Sequence, residues 1–339
     1  MSHPTLRIHD FAPGGEEMPH FAAMHGRQSY AGADEPVPRT ARCLLALRGD
    51  HPVARLSYMT AAGLAGAPGW SGLIGHYEAA EQHAGIELLE RARQALCEAG
   101  AVRVLGPVNG STWARYRLAL PHAQGENPAE PPFLSEPWNP PDYPGNFTRA
   151  GFRPAVMYAS AIVRALAEPD PRRGELEARL RERGVTTRPL VLERFDEELE
   201  GIFGLTLAAF AQSPYYSPIE LPEFRARYAP LRPLVDPELV RLAHDANGRL
   251  LGYVFAFPDR LHAPGGRPSR VVLKTLATAP GARGLGLGGY LTDEVRRIAH
   301  ERGYAAVIHA LMHAQNPSVR ISRHTAEIFR HYALYEWTP

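Results

Sequence analysis

The stretch with most capacity for chemistry is Val272–Leu291, VLKTLATAPGARGLGLGGYL. An apolar run ends at Ala277-Thr278, Pro280 breaks it, and Arg283-Gly284-Leu285-Gly286-Leu287-Gly288-Gly289 then opens a helix. Glycines let the main chain approach an anion closely, and the free amides and dipole of a helix N-terminus favour negative charge there. Arg283 adds a fixed positive charge. This is the chemistry of a pyrophosphate cradle. The spacing Gly284-x-Gly286-x-x-Gly289 is also that of a dinucleotide-binding turn. Against that reading, Pro280 and Gly281 intervene, and the next strand carries His309 where an acidic residue would hold a ribose. No GxxxxGK[ST] string is present, so a P-loop is excluded. A glycine-rich helix cap without a ligand is the remaining reading.

Proton-transfer candidates lie downstream. His309 and His313 end the next strand, and an imidazole with an ordinary pKa of about 6.5 suits a general base. Their HxxxH spacing would suit a metal on a helix, but the segment reads as a strand and no third ligand is evident, so no metal is expected. Ser322, His324, Tyr332 and Tyr335 are candidate proton donors. The loop Gln212–Pro218, QSPYYSP, brackets Tyr215 and Tyr216 with prolines; the pair suits a substrate lip, or packs the loop down. Lys274 is the only lysine among 37 basic residues, and its facing is undetermined.

These residues need elements to position them. Asn247-Gly248 between Glu238–Asp245 and Arg249–Phe257 predicts a hairpin. A strand, Arg270–Thr278, the glycine turn, a helix over Tyr290–Arg302 with Leu291, Val295 and Ile298 on one face, and a strand over Ala305–Leu311 follow; Gly303 stops the helix. The order recurs upstream. Arg42–Leu47 and Val53–Thr60 flank Gly49-Asp50, then come a strand at Gly72–Ala79, a helix at Gly85–Ala99 with Ile86, Leu89, Arg93 and Leu96 on one face, and a strand at Val102–Leu105. The polar seam Glu168–Gly174, between a strand at Val156–Val163 and a helix at Glu175–Arg183, places a domain boundary near 168/169. The proline-rich segment Ala119–Gly145 reads as a loop packed over the N-terminal domain, or as a lid.

The motif Arg283-x-x-Gly286-x-Gly288, after a strand ending Leu276-Ala277-Thr278-Ala279-Pro280 and before a helix, a strand and Asn316, resembles the acetyl-CoA site of the GNAT superfamily of N-acetyltransferases. The resemblance covers roughly Val185 to Tyr335. It implies an α/β fold with a mixed central sheet flanked by helices, twice over: a degenerate GNAT-like domain at 1–168 and a catalytic one at 169–339. It implies that Arg283, Gly284, Leu285, Gly286, Leu287, Gly288 and Gly289 bind the CoA pyrophosphate. It further implies that the main chain of Leu276, Ala277 and Thr278 pairs with pantetheine and that Asn316 touches the pantetheine arm. Acetyl-CoA would be the cosubstrate, and the acetyl group would pass directly to an amine of a small molecule or peptide. Many members carry a Tyr seven residues after the Asn; here that position is Arg323, a poor acid. A non-catalytic acyl-CoA-binding module and transfer of a longer acyl group are the rival readings. The helix Glu197–Phe210, with Leu199, Ile202, Phe203 and Phe210 facing a core, and the loop after it would flank the acceptor.

The N-terminal copy lacks the cradle. Its equivalent stretch, HYEAAEQHAGIE, puts Glu78 and Glu81 where phosphates need amides, and Gly85 is its only glycine. Gly106–Ser111 is the turn beside which a second cleft would open. The chain has 339 residues, 45% hydrophobic, with 37 basic and 36 acidic residues. That is enough apolar material for a sizeable core, and too little net charge for a general nucleic-acid binder. All but one of the basic residues are Arg, a skew from which no function is drawn. Two cysteines, Cys43 and Cys97, make neither a structural zinc site nor a close pair and fit a reducing, cytoplasmic setting. No signal-peptide pattern and no membrane-spanning run of about 20 apolar residues is read.

Overall fold

The computed structural model describes residues 5–24, 35–122, 130–263, 266–314 and 326–339. The first half runs β1 (Leu6–Phe11), α1 (Met18–Ala23), β2 (Arg42–Arg48), β3 (His51–Ala61), β4 (Ser71–Ala79), α2 (Gln82–Glu98) and β5 (Arg103–Gly106). β6 (Leu118–Ala119), α3 (Tyr143–Arg149), β7 (Arg153–Val163) and α4 (Arg173–Glu182) lead into the second half. That half comprises β8 (Thr186–Pro189), α5 (Phe195–Phe210), α6 (Leu221–Tyr228), β9 (Val240–His244), β10 (Leu250–Pro258), β11 (Arg270–Thr278), α7 (Leu287–Glu301), β12 (Ala306–His313) and β13 (Glu327–Trp337).

All the described strands belong to one mixed sheet, ordered β1-β2-β3-β4-β5-β13-β7-β12-β11-β10-β9-β8, with β6 beside β13. The order is symmetric about the β13–β7 pair. Four antiparallel-linked strands and one parallel neighbour recur on each side: β4 pairs parallel with β5, and β11 with β12. The sixth strand is exchanged. β13, from the end of the chain, pairs with β5, while β7 pairs with β12. The expected repeat of structural order is therefore a repeat whose two halves share a seam. The polar stretch at 168/169 lies just after β7, a strand built into the second half's side of the sheet.

Local sequence explains the elements. Asp245 accepts hydrogen bonds from the amides of Asn247 and Arg249 (both 2.9 Å), and Gly248 takes φ +79°, which closes the β9–β10 hairpin. α7 buries Leu287, Leu291, Val295 and Ile298, the predicted stripe plus one turn. α2 buries Leu88, Leu89, Ala92 and Leu96. Arg93 lies at the side of that face, with its guanidinium over Trp337 and bonded to the Ala150 carbonyl. Along β11, Val271 and Leu273 join the core under α5 and α7, and Val272 points to the opposite face, as the two-residue period requires.

That opposite face is covered by residues 130–142. Phe133 packs with Val272, Ile308 and Phe329. Glu130 pairs with Arg270 (2.8 Å), Asp259 with Arg270 (2.5 Å) and Glu136 with Arg330 (2.7 Å). The proline-rich segment thus bridges the two halves: as expected, its end packs on the first half, where Tyr143 is buried in the core and its hydroxyl accepts from the Ala79 amide (2.9 Å), while residues 130–136 pack on the second half's sheet. Its buried ion pairs hold it there, because removing one partner strands the other charge. Among the described residues no helix is long and apolar enough to cross a membrane.

Candidate functional site

β11 and β12 pair in parallel only from Arg270↔Ala306 to Leu273↔His309. Beyond that pair they part. β12 continues along β7, through Met312↔Ala159 and His313↔Tyr158, while β11 continues along β10 to Gly252↔Thr278. A bulge opposite Phe255/Ala256 places Lys274 at the fork. A strand edge that parts from its neighbour leaves main-chain groups free to pair with an extended ligand. Leu276, Ala277 and Thr278 form the β11 side of this fork.

The glycine turn lies at the end of the same strand. After Pro280–Ala282, Gly284 and Gly286 take φ +82° and +77°, and α7 begins at Leu287 with Gly286 as its N-cap. No side chain caps the helix and its first turn holds no acid. The first amides of α7, from Leu287, Gly288 and Gly289, are therefore orphan donors. Arg283 and Gly284 are exposed beside them. Gly286 serves a second purpose, since a Cβ there would run into Leu176 of α4. The turn is thus both a helix-packing device and an uncapped, positively biased N-terminus, and its residues fit a diphosphate.

The equivalent fork in the first half is filled. β4 and β5 pair only through Leu73↔Leu105, but the chain then folds back. Val108 donates its N–H to the carbonyl of Ile74 (2.7 Å), and Asn109 Oδ1 accepts from the His76 amide (2.7 Å). Gly75 admits this segment; a Cβ there would strike the Val108 carbonyl and stand 2.8 Å from Asn109 Cα. Glu78 is buried within β4 against Arg55, and Glu81 is tied to Arg48 at the start of α2. Sequence reasoning singled out the Gly106–Ser111 turn as the flank of a possible second cleft; here that turn closes the fork.

The proton-transfer candidates disperse. His309 is 5% exposed, and burial alone lowers its pKa to about 4. His313 is half-buried with its ring edge-on to Tyr158, and its pKa is lowered by burial and then by Arg117. Tyr332 is fully buried in β13 with its hydroxyl bonded to Glu136; burial and that carboxylate raise its pKa well above the ordinary value. Tyr335 is also buried. Asn316, Ser322, Arg323 and His324 lie outside the described residues. Tyr215 donates its hydroxyl to Glu336 of β13, with its pKa raised by burial and that bond. Tyr216 packs beside Trp113 and Phe210. The tyrosine loop therefore docks on the first half. Thr112 and Ser217 exchange hydrogen bonds (3.0 and 2.9 Å), and the Trp113 indole donates to the Ser217 carbonyl (3.0 Å).

Sequence reasoning named none of the first-half residues that act at this fork. Arg117 lies between the rings of Tyr116 and Tyr158, 3.8 and 3.9 Å from their centroids, and donates to the Leu311 carbonyl (3.4 Å). Glu35 accepts from the Arg115 amide (2.8 Å) and from Asn109 (3.0 Å). Both residues act electrostatically on Lys274, which is exposed to solvent at the fork yet crowded by protein. No one-dimensional signal joins positions 35, 117 and 274.

Residues 205–324 match the model of the acetyltransferase (GNAT) family, and this part of the chain is a GNAT domain. Its family indicates an acyltransferase. Solved structures share the fold of the whole chain. One is a fungal multi-domain GH3 β-N-acetylglucosaminidase with a GCN5-related glucosamine N-acetyltransferase region (TM-score 0.59, 14% identity, 99% of this chain); this chain spans only 38% of it. Others are a GCN5-related N-acetyltransferase from Sphaerobacter thermophilus (TM-score 0.54, 15% identity, 99% of this chain and 97% of that one) and a tandem GNAT protein from the clavulanic acid biosynthesis pathway (TM-score 0.55, 13% identity, 98% of each). At these identities the likeness is one of fold. No curated protein matches the chain in sequence.

Proposed function

We propose that the chain is an N-acetyltransferase that moves the acetyl group of acetyl-CoA directly to an amine of a small molecule or peptide, with one CoA site, in the second half. The observation that carries this reading is the coincidence, on one strand, of the β11–β12 fork and an uncapped glycine turn bearing Arg283. In this reading the amides of Leu287, Gly288 and Gly289, with Gly284, Leu285, Gly286 and Arg283, hold the diphosphate. Leu276, Ala277 and Thr278 hold pantetheine by main-chain pairing, assisted by Asn316. The thioester supplies an activated carbonyl. An amide near Ala277 or Thr278 steadies the oxyanion as the amine's C–N bond forms and the C–S bond breaks. The amine sheds its proton to a base at the fork. His309, neutral but weakly basic at a pKa of about 4, suits that task less than His313. A cytoplasmic setting belongs to the same reading and is supported by the free thiols of Cys43 and Cys97.

Calorimetric titration with acetyl-CoA, beside Arg283→Glu and Gly289→Asp variants, tests the cradle. Binding by the parent that both variants lose is the expected result; no binding by the folded parent overturns the proposal. An amine panel with acetyl-, propionyl- and longer acyl-CoAs then separates acetyl transfer from transfer of a longer group, and turnover from mere binding.

A further inference from the structure

Two cations face the fork with little to neutralise them. Lys274 sits at the β11 bulge, one residue past the last β11–β12 pair, and among the described residues it makes no hydrogen bond or ion pair. Arg117, whose charge acts on it, is 9% exposed, with one long bond to the Leu311 carbonyl and a buried Nε that has no partner. Its two tyrosine neighbours offer π faces, which attract a cation without cancelling its charge. Arg117 and Leu311 both hold left-handed backbone conformations, φ +73° and +55°, which non-glycine residues adopt at a cost. Glu35, the one carboxylate acting on Lys274, is already engaged by the Arg115 amide and Asn109. The buried Arg117 charge has no carboxylate partner among the described residues, and an anion held by Lys274 would lie within its field.

We propose that the acceptor amine carries an acidic group, a carboxylate or phosphate, which binds the Lys274 ammonium directly while Arg117 reinforces the positive field from behind. This rests on the acyltransferase reading and adds the acceptor class to it. The first half, which contributes Arg117, Glu35 and Asn109, is then a specificity element as well as a support. The Arg117 charge acts on Lys274 as a like charge and lowers its pKa, so an arriving anion meets a positive field that it relieves.

Because Lys274 is the only lysine, protein grown with [ε-13C]lysine shows a single lysine signal. Its titration by NMR is followed with β-alanine, β-alaninamide and O-phosphoethanolamine as probes. The acidic probes are expected to raise the Lys274 pKa and the neutral amide to leave it unmoved; the larger of the two acidic shifts tells carboxylate from phosphate. No shift with either acidic probe, or an equal shift with the amide, overturns the proposal, whether or not any amine turns over. In kinetics, Lys274→Met is expected to raise KM for acidic acceptors about tenfold, with acetyl-CoA affinity and the rates on neutral amines unchanged and partial rescue in Lys274→Arg. An equal loss on acidic and neutral amines overturns it, because Lys274 would then act at the amine. Failure of acetyl-CoA to bind the parent sinks the acyltransferase reading instead, and leaves the NMR result to judge the anion site alone.

Discussion

Val108 donates its main-chain N–H to the Ile74 carbonyl at 2.7 Å, closing with the protein's own backbone a fork whose counterpart between β11 and β12 is open among the described residues. The two halves of a symmetric sheet are thereby made unequal. One is self-satisfied; in the other, among the described residues, β11 has no β12 partner beyond Leu273. Titration with acetyl-CoA should accordingly give a stoichiometry of one per chain. A value of two would show that the Val108 segment can be displaced.

Gly75 permits that closure. In Gly75→Ala the new Cβ meets the Val108 carbonyl and the main chain of Asn109, neither of which is a flexible side-chain end. Overpacking of this kind costs roughly 1–3 kcal/mol. Urea denaturation should show the loss, with acetyl-CoA affinity retained, since the fork proposed to hold acetyl-CoA lies in the other half.

Two glycines of the turn should respond oppositely. Gly286→Ala forces a Cβ into Leu176 from a left-handed conformation, and should lower the melting temperature as well as affinity. At Gly289 the nearest atom to a Cβ is Leu176 Cδ1 at 3.9 Å, so an aspartate fits. A carboxylate in the first turn favours the helix dipole by about 0.3–1 kcal/mol while repelling a diphosphate. Gly289→Asp should therefore keep or raise the melting temperature and still lose acetyl-CoA.

His309 makes stability depend on pH. Burial lowers its folded pKa from 6.5 to about 4, so the unfolded chain binds the proton first as pH falls. The contribution is fully present above about 6.5 and is lost as pH falls toward about 4. Its size is on the order of 3 kcal/mol. His309→Gln should flatten the stability curve between pH 6.5 and 4.5; an unchanged slope would mean that the ring titrates alike in the folded and unfolded chain.

Trp113 ties the first half to the loop after α5, which the proposed function sets beside the acceptor, through its indole bond to Ser217 and its edge contacts with Tyr216 and Phe224, each with centroids 5.6 Å apart. Steady-state kinetics of Trp113→Ala should show KM for the acceptor rising about fivefold or more, with little change in KM for acetyl-CoA. That split marks loss of positioning on the acceptor side alone.

The residues that announce themselves in one dimension do so because their chemistry is local. Asn247-Gly248 makes its hairpin within five residues. Leu291, Val295 and Ile298 mark a helix face by spacing alone. Pro280 through Gly289 spell an uncapped helix start by composition, and hence the resemblance to an acetyltransferase. Tertiary structure decided the rest. Whether a fork is open depends on which chain reaches it, and Val108 reaches the first fork while, among the described residues, no strand fills the second at Lys274. The exchange of β7 and β13 arises from pairings more than a hundred residues apart, such as Val307 with Val163. Tyr332 reads as a proton donor in sequence, but its neighbours in space, Glu136 and Ser160, bury and engage it. Arg117 carries no motif at all. Its importance comes from two tyrosine rings, a bent main chain and a lone lysine that only folding brings together, because electrostatic and steric neighbours are set by distance in space, on which separation along the chain has no bearing.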